Sequence, residues 1–271
     1  MRRPVSTSAA RVSGAELRVL QRRGTAALAG RETRRVLGLW TQTILPPVVT
    51  ALLFLAIFGG ALGGRIDRIE GVRYLAFILP GLLVMTVAAQ ATANAATSLF
   101  QAKSEGYLEE VLTSPLRAWQ VVGAYVAGSL VRAYAAAAVI VAAAAPFAGG
   151  VDDFVLAASA LVLTGVIFAS VGVITGVWAD TFDQHSFVAS IVITPLALVG
   201  GVFYSASSLG EPWATLTRLD PLYYLVDASR AGFTGFHETS VWVSLLLAAL
   251  VAVMVFAVAV GLVSRGWRLK P

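Results

Sequence analysis

Apolar runs of membrane-crossing length recur six times along the chain, at 39–62, 74–100, 119–145, 154–178, 187–205 and 240–263. A helix rising 1.5 Å per residue needs roughly 20 such positions to cross a hydrocarbon layer about 30 Å thick. Backbone groups in lipid must find partners within their own segment, so each run is predicted to be helical. The fifth run is the shortest. The polar break between the second and third runs, at 103–117, is longer than a turn requires. Within it Tyr107, Leu108, Val111 and Leu112 keep a helical apolar spacing, with Glu105, Glu109 and Glu110 beside them. Pro115 stops that helix, because the residue before a proline is driven out of the α region. Ser114 and Pro115 are then expected to start the next helix. The pattern predicts a short acidic helix over 105–113 that stands off the membrane and presents a contact surface.

Other breaks define the remaining elements. Ser13 and Glu16 have the spacing of a capping box, and Leu17, Leu20, Ala27 and Leu28 carry an apolar stripe onward. Gly24 and Gly30 are expected to interrupt a single long helix. The reading is therefore a basic tail over 1–24, then an amphipathic helix over 25–38 lying in the headgroup layer, with Arg31, Glu32, Arg34 and Arg35 near its end. Residues 264–271 form a second tail. Pro46-Pro47 should kink the first span. Gly59/Gly63 and Gly172/Gly176 have the four-residue spacing that lets helices approach closely, within one bundle or across a dimer seam. In 206–236, Pro212-Trp213 opens a short turn and Asp220-Pro221 opens a helix expected to run to Arg230 and stop at Gly232. Asp227 and Arg230 are spaced to pair along it. These helices are too short to span and too apolar to float in water, so they are predicted to re-enter the outer leaflet.

Charge orients the bundle. Nine arginines before residue 39, with Lys103, Arg117, Arg265, Arg268 and Lys270, place 14 basic residues on one side. Five lie on the other: Arg65, Arg68, Arg73, Arg218 and Arg230. The positive-inside rule then puts both termini in the cytoplasm. Arg132 falls inside the third run, about 20 Å along it, at the depth of Thr86 and Gln90 on the second. It needs partners there, as a structural pin or as a substrate contact.

Composition agrees with this picture and narrows the chemistry. Charged residues make up 13% of the 271 positions, against roughly 25% in globular proteins. Mean hydropathy is +0.79. With no cysteine, thiol catalysis and cysteine-ligated metals are excluded. The two histidines, His185 and His237, are assigned to opposite membrane faces, so no histidine metal site is expected. No nucleophile elbow or Walker lysine loop is present, so no enzymatic activity is expected. No folded basic domain is available for nucleic acid.

The stretches Gln42-Thr-Ile-Leu-Pro-Pro47, Phe77-Ile-Leu-Pro-Gly-Leu82, Leu108-Glu-Glu-Val-Leu-Thr-Ser-Pro115, Thr194-Pro-Leu-Ala-Leu-Val-Gly-Gly-Val-Phe-Tyr-Ser205 and Asp220-Pro-Leu-Tyr-Tyr224 carry a resemblance. Their order resembles that of the permease subunits of type-2 ABC exporters, most of all the YadH-type inner-membrane transport permeases, with drug-resistance and nodulation-type permeases more distant. The resemblance implies two paired copies, each docking a cytoplasmic ABC ATPase through the coupling helix Glu105, Gly106, Tyr107, Leu108, Glu109, Glu110, Val111, Leu112 and Thr113. ATP and Mg would be bound by that partner and no cofactor by this chain. Arg31–Trp40 would act as a second lever anchored among membrane lipids. Gly200, Gly201, Phe203 and Tyr204 would shape the extracellular exit. The apolar spans suggest an amphipathic or lipid-like cargo. A secondary transporter and a non-transporting assembly subunit are the alternatives, and neither an inverted repeat nor an intramembrane acid supports the former.

Overall fold

The computed structural model describes residues 13–58 and 68–268. Gly59 and Gly63, the end of the first predicted span, Arg65, and residues 1–12 and 269–271 lie outside that range. Helix α1 (Gly14–Gly38) opens on a capping box: Ser13 N donates to Glu16 Oε2 at 2.8 Å, and Glu16 N to Ser13 Oγ at 3.2 Å. It runs unbroken through Gly24 and Gly30. The predicted tail over 1–24 is thereby corrected, since 14–24 is helix. A helical glycine costs about 1 kcal/mol, and packing of α1 on α6 (Ala118–Ala148) offsets it. At Gly24 a Cβ would stand 3.0 Å from Leu116 Cδ2, so bare backbone suits the contact.

The chain then bends by 80° into the first membrane helix, made of α2 (Trp40–Thr43) and α3 (Leu45–Ala56). Pro46 and Pro47 occupy the first turn of α3, where no intrahelical donor is needed. The expected kink inside the span appears as a break at Ile44, two residues before the prolines.

A two-residue hairpin, β1 (Arg68–Ile69) and β2 (Val72–Arg73), leads into α4 (Tyr74–Ser104). Apart from that hairpin, regular structure among the described residues is helical. α4 is the central post, buried around most of its circumference. Its bend-prone Pro80 is followed by Gly81, where a Cβ would lie 2.9 Å from Val202 Cα. α7 (Phe154–Trp178) packs closest on α4: a Cβ at Gly172 would meet Thr92 O at 2.4 Å, and one at Gly176 would meet Ala96 O at 2.9 Å. Of the two roles open to this glycine pair, the structure uses it for contact within the bundle.

Between α4 and α6 stands α5 (Leu108–Thr113). Glu105 caps α4 and Gly106 turns the chain at φ +80°, so the acidic helix starts at Leu108 rather than at 105. Ser114 ends α5 in extended geometry, as a residue before proline must. It does not start the next helix: α6 opens after Arg117, whose N–H donates to Gln120 Oε1 at 2.9 Å.

After α7 come α8 (Phe182–Val188), a π-helical turn at Ala189–Ile193, and α9 (Thr194–Val199). This fifth apolar path thus covers Phe182–Val199 rather than 187–205, because the chain turns at Gly200 and Gly201, the latter at φ +74°. α10 (Trp213–Leu219), α11 (Pro221–Thr234) and α12 (Val241–Arg265) complete the chain. α11 passes the predicted stop at Gly232 and ends on left-handed Gly235. Gly232 serves packing, since its Cβ would lie 2.4 Å from Ala157 N. Five helical paths are long and apolar enough to cross a membrane, six with the bent α1–α3 pair.

The C-terminal ends of α4, α7 and α12 share one end of the bundle. Lys103 Nζ donates to Asp180 Oδ1 at 2.9 Å and to Ala179 O at 3.3 Å, and Arg268 pairs with Asp180 Oδ2. The β1–β2 hairpin marks the opposite end.

Candidate functional site

At the α5 end, α1 lies across α4, α5 and α6. Its buried stripe is Gln21, Leu28, Glu32 and Val36, two of which are polar. Gln21 Nε2 donates to Pro115 O at 2.9 Å, tying α1 to the loop after α5. The Arg31 guanidinium sits 4.5 Å from the centroid of the Tyr107 ring, whose hydroxyl burial pushes toward higher pKa. Between α1 and α5 runs a groove of about 610 Å³ lined by Leu20, Arg23, Ala27, Glu110, Val111 and Leu116, among others. Leu108 is buried beneath α5, while Glu109 and Glu110 face outward. Gly106 is exposed, Val111 and Leu112 are half-buried, and Thr113 Oγ1 donates back to Glu109 O at 2.8 Å.

Glu32 is 1% exposed, so the Arg31–Arg35 segment is more than a headgroup anchor. It reaches Arg31 Nη2 at 3.0 Å and Arg35 Nη2 at 3.3 Å. Gly128 makes room for it, because a Cβ there would stand 2.5 Å from Glu32 Cβ. Arg34, by contrast, bonds only its own helix among the described residues, Nε to Gly30 O at 3.3 Å. Arg35 donates to Gln101 Oε1 at 2.9 Å, to Asn94 Oδ1 at 3.2 Å and to Ser98 Oγ. Asn94 Nδ2 donates onward to Ser129 Oγ at 3.1 Å. Glu32 Oε2, Arg35 Nε and Tyr125 OH are buried there without a hydrogen bond. The sequence held a signal for this network: Thr86, Gln90, Asn94, Ser98 and Gln101 recur at helical spacing on one face of an otherwise apolar run.

At membrane depth Arg132 Nε donates to Gln90 Oε1 at 2.9 Å. Thr86 is buried, and among the described residues no hydrogen bond joins it to Arg132.

The hairpin end is organised by α11. Asp220 caps it, accepting from Leu222 N at 2.8 Å. Arg230, counted as an outer surface charge from the sequence, is fully buried: Nε donates to Phe77 O at 3.2 Å, Nη2 to Gly201 O at 2.7 Å, and the guanidinium lies 3.7 Å from the Phe77 ring centroid. The expected Asp227–Arg230 ion pair is not formed among the described residues. Asp227 instead accepts from Glu238 N at 2.8 Å, Thr239 N at 2.9 Å and Thr239 Oγ1 at 2.5 Å, because α11 continues past Arg230 and folds the following loop over its carboxylate. Glu238 holds Ala206 N and Ser207 N, each at 3.1 Å. The turn after α9 fits into this frame. Gly201 is pinned through its carbonyl, and Gly200 N donates to Leu196 O at 2.8 Å. Tyr204 OH donates to Val199 O at 2.5 Å, and Phe203 stacks on Phe58 at 5.0 Å and contacts Phe54 at 5.7 Å between centroids.

Three or more metal-ligating side chains do not cluster anywhere among the described residues. The architecture offers contact surfaces, a polar stripe through the bundle and a pinned turn after α9.

A family model for ABC-2 type transporters matches residues 23–234, from within α1 to the end of α11. The chain is 36% identical to the inner membrane transport permease YadH of Escherichia coli (strain K12) over 243 residues, covering 89% of this chain and 94% of that protein. It is 28% identical to nodulation protein J of Rhizobium leguminosarum bv. trifolii, covering 69% of this chain and 72% of the relative, and 25% identical to nodulation protein J of Rhizobium meliloti (strain 1021), covering 84% and 87%. With that match running through the central post, α5 and the pinned turn after α9 alike, this chain belongs to the ABC-2 type transporter family, as a non-catalytic transmembrane subunit of an ABC transporter.

Proposed function

We propose that the chain is an inner-membrane exporter permease with both termini cytoplasmic, working as a pair of copies, each docked on an ATPase at the α5 end. The observation that carries this reading is α5 itself. Leu108 fixes it to the bundle, Glu109 and Glu110 stay free on its outer side, and Arg31 and Gln21 couple it to α1. Docking force on α5 therefore reaches α4 and α6 directly and α1 through side chains. ATP and Mg belong to the ATPase. The basic residues counted at the α5 end favour a cytoplasmic placement.

At the opposite end, α10 and α11 re-enter the outer leaflet, and Gly200, Gly201, Phe203 and Tyr204 form the exit. Exposed apolar side chains on α3 (Val49, Leu53) and on the 182–199 path (Ile191, Leu198) face lipid and the second copy. The cargo is amphipathic or lipid-like, moved by ATP-driven closure of the ATPases.

Co-purification and ATPase assays of the full permease–ATPase complex test this. Glu109→Arg with Glu110→Arg is expected to lower ATPase retention and substrate-stimulated turnover at least tenfold, with the permease itself still folded. Normal retention and stimulation in the double variant would refute the docking assignment.

A further inference from the structure

Among the described residues three arginines lie inside the bundle, and two of them meet several partners each. Arg35 has Glu32 and three side-chain acceptors, and Arg230 has two backbone carbonyls and an aromatic face. Arg132 differs. It stands about 21 Å along α6, near the middle of the hydrocarbon layer. Its one hydrogen bond uses Nε, and its partner is a neutral amide. Among the described residues no carboxylate lies within ion-pair distance, and the charged neighbour acting on it is another cation, Arg35. Neither Nη donates to a described residue, yet neither is sealed in the core. Arg132, Gln90, Ala89 and Ala93 all keep partial exposure, and Val139, two turns along the same side of α6, is exposed.

A cation at this depth is costly unless an opposite charge or strong acceptors meet it. With Gln90 holding Nε, the two Nη groups form a free fork that suits two oxygens of one anion. The geometry points to Arg132, oriented by Gln90, as the recognition point for the anionic headgroup, phosphate or carboxylate, of an amphipathic ligand whose apolar tail lies along the exposed side of α6. This rests on the exporter reading for its role in transport, while the binding itself does not.

The test uses the full chain in phosphatidylcholine nanodiscs without ATPase, titrated with dodecyl phosphate, dodecyl maltoside and inorganic phosphate. Dodecyl phosphate is expected to bind about tenfold tighter than the maltoside, the scale of one charge-assisted contact. Arg132→Gln should bring that ratio close to one, and Arg132→Lys, which keeps the charge but loses the fork and the Gln90 bond, should fall between the two. Inorganic phosphate alone should not compete at comparable concentration; if it does, a free-anion site replaces the amphiphile site and the proposal fails. A ratio unchanged in Arg132→Gln makes the arginine a pin and overturns the proposal. Should that variant not fold, a diazirine-tailed alkyl phosphate on the wild-type chain decides: labelling around Ala89 and Ala135 supports the site, and labelling confined elsewhere refutes it. Because no ATPase is present, a negative result leaves the Glu109/Glu110 experiment standing, and failure of that experiment leaves this binding readable.

Discussion

The two ends of the bundle bury charge in opposite ways. At the hairpin end Arg230, Asp227 and Glu238 bind mainly to backbone: carbonyls of 77 and 201, amide groups of 206, 207, 238 and 239. Backbone partners cannot rotate away, so these side chains hold the turn after α9, the loop after α11 and the Phe77 turn of α4 in one shape. The nearby orphaned atoms, Asp220 Oδ2 and Ser229 Oγ, lie outside that set. At the α5 end Glu32, Arg35, Asn94, Ser98, Gln101 and Ser129 bind mostly to each other, with three buried atoms left over. A network with spare donors and acceptors on rotatable side chains can exchange partners at small cost. One end is held by partners fixed in the backbone, the other by side chains that can exchange partners.

The largest effect that checks this contrast is at Asp227. Asp227→Asn points an amide at two backbone donors and a hydroxyl, and should destabilise the chain by about 3 kcal/mol. Glu32→Gln keeps an acceptor between Arg31 and Arg35, which have other partners, and should cost about 1 kcal/mol. Thermal or denaturant unfolding of the two variants in the same detergent gives the comparison directly. Equal losses, or a larger one at Glu32, would mean that the α5 end is as rigidly specified as the hairpin end.

The smallest effect is the Lys103–Asp180–Arg268 cluster, which ties α4, α7 and α12 at the α5 end. The hydrogen bond from Lys103, reinforced by Arg268, holds the exposed Asp180 carboxyl below its ordinary value of 3.8. Its folded pKa is depressed, so its contribution is fully present above 3.8 and fades as pH falls through the lower folded value. An acid titration of stability should show Asp180→Asn and wild type converging below that window, with only a slight gap at neutral pH.

Much of the bundle was legible in the sequence because lipid tolerates so few backbone solutions: the runs at 74–100, 119–145, 154–178 and 240–263 mark α4, α6, α7 and α12. α5 was legible because proline and a polar interruption bracket it. What escaped were features decided by tertiary contact. Nothing local to Gly24 or Gly30 says that α6 will support α1 through both. Arg230 reads as a surface charge until the carbonyls of Phe77 and Gly201, far away in sequence, converge on it. Glu32 sits in a basic cluster that looks solvated, and only its docking on Gly128 buries it. The polar stripe on α4 was readable by its period, yet its partners come from α1 and α6.

The 80° elbow after α1 has a mechanical corollary. A rod some 25 residues long, joined nearly at right angles to an upright, is a crank arm. Sliding its free tip sideways by a few ångströms in the membrane plane twists the upright by about 5°, given an arm near 37 Å. Because Gln21 and Arg31 fasten that arm beside α5, any displacement delivered there is turned into torque on α3, the strut whose Phe54 rests against Phe203 in the turn after α9.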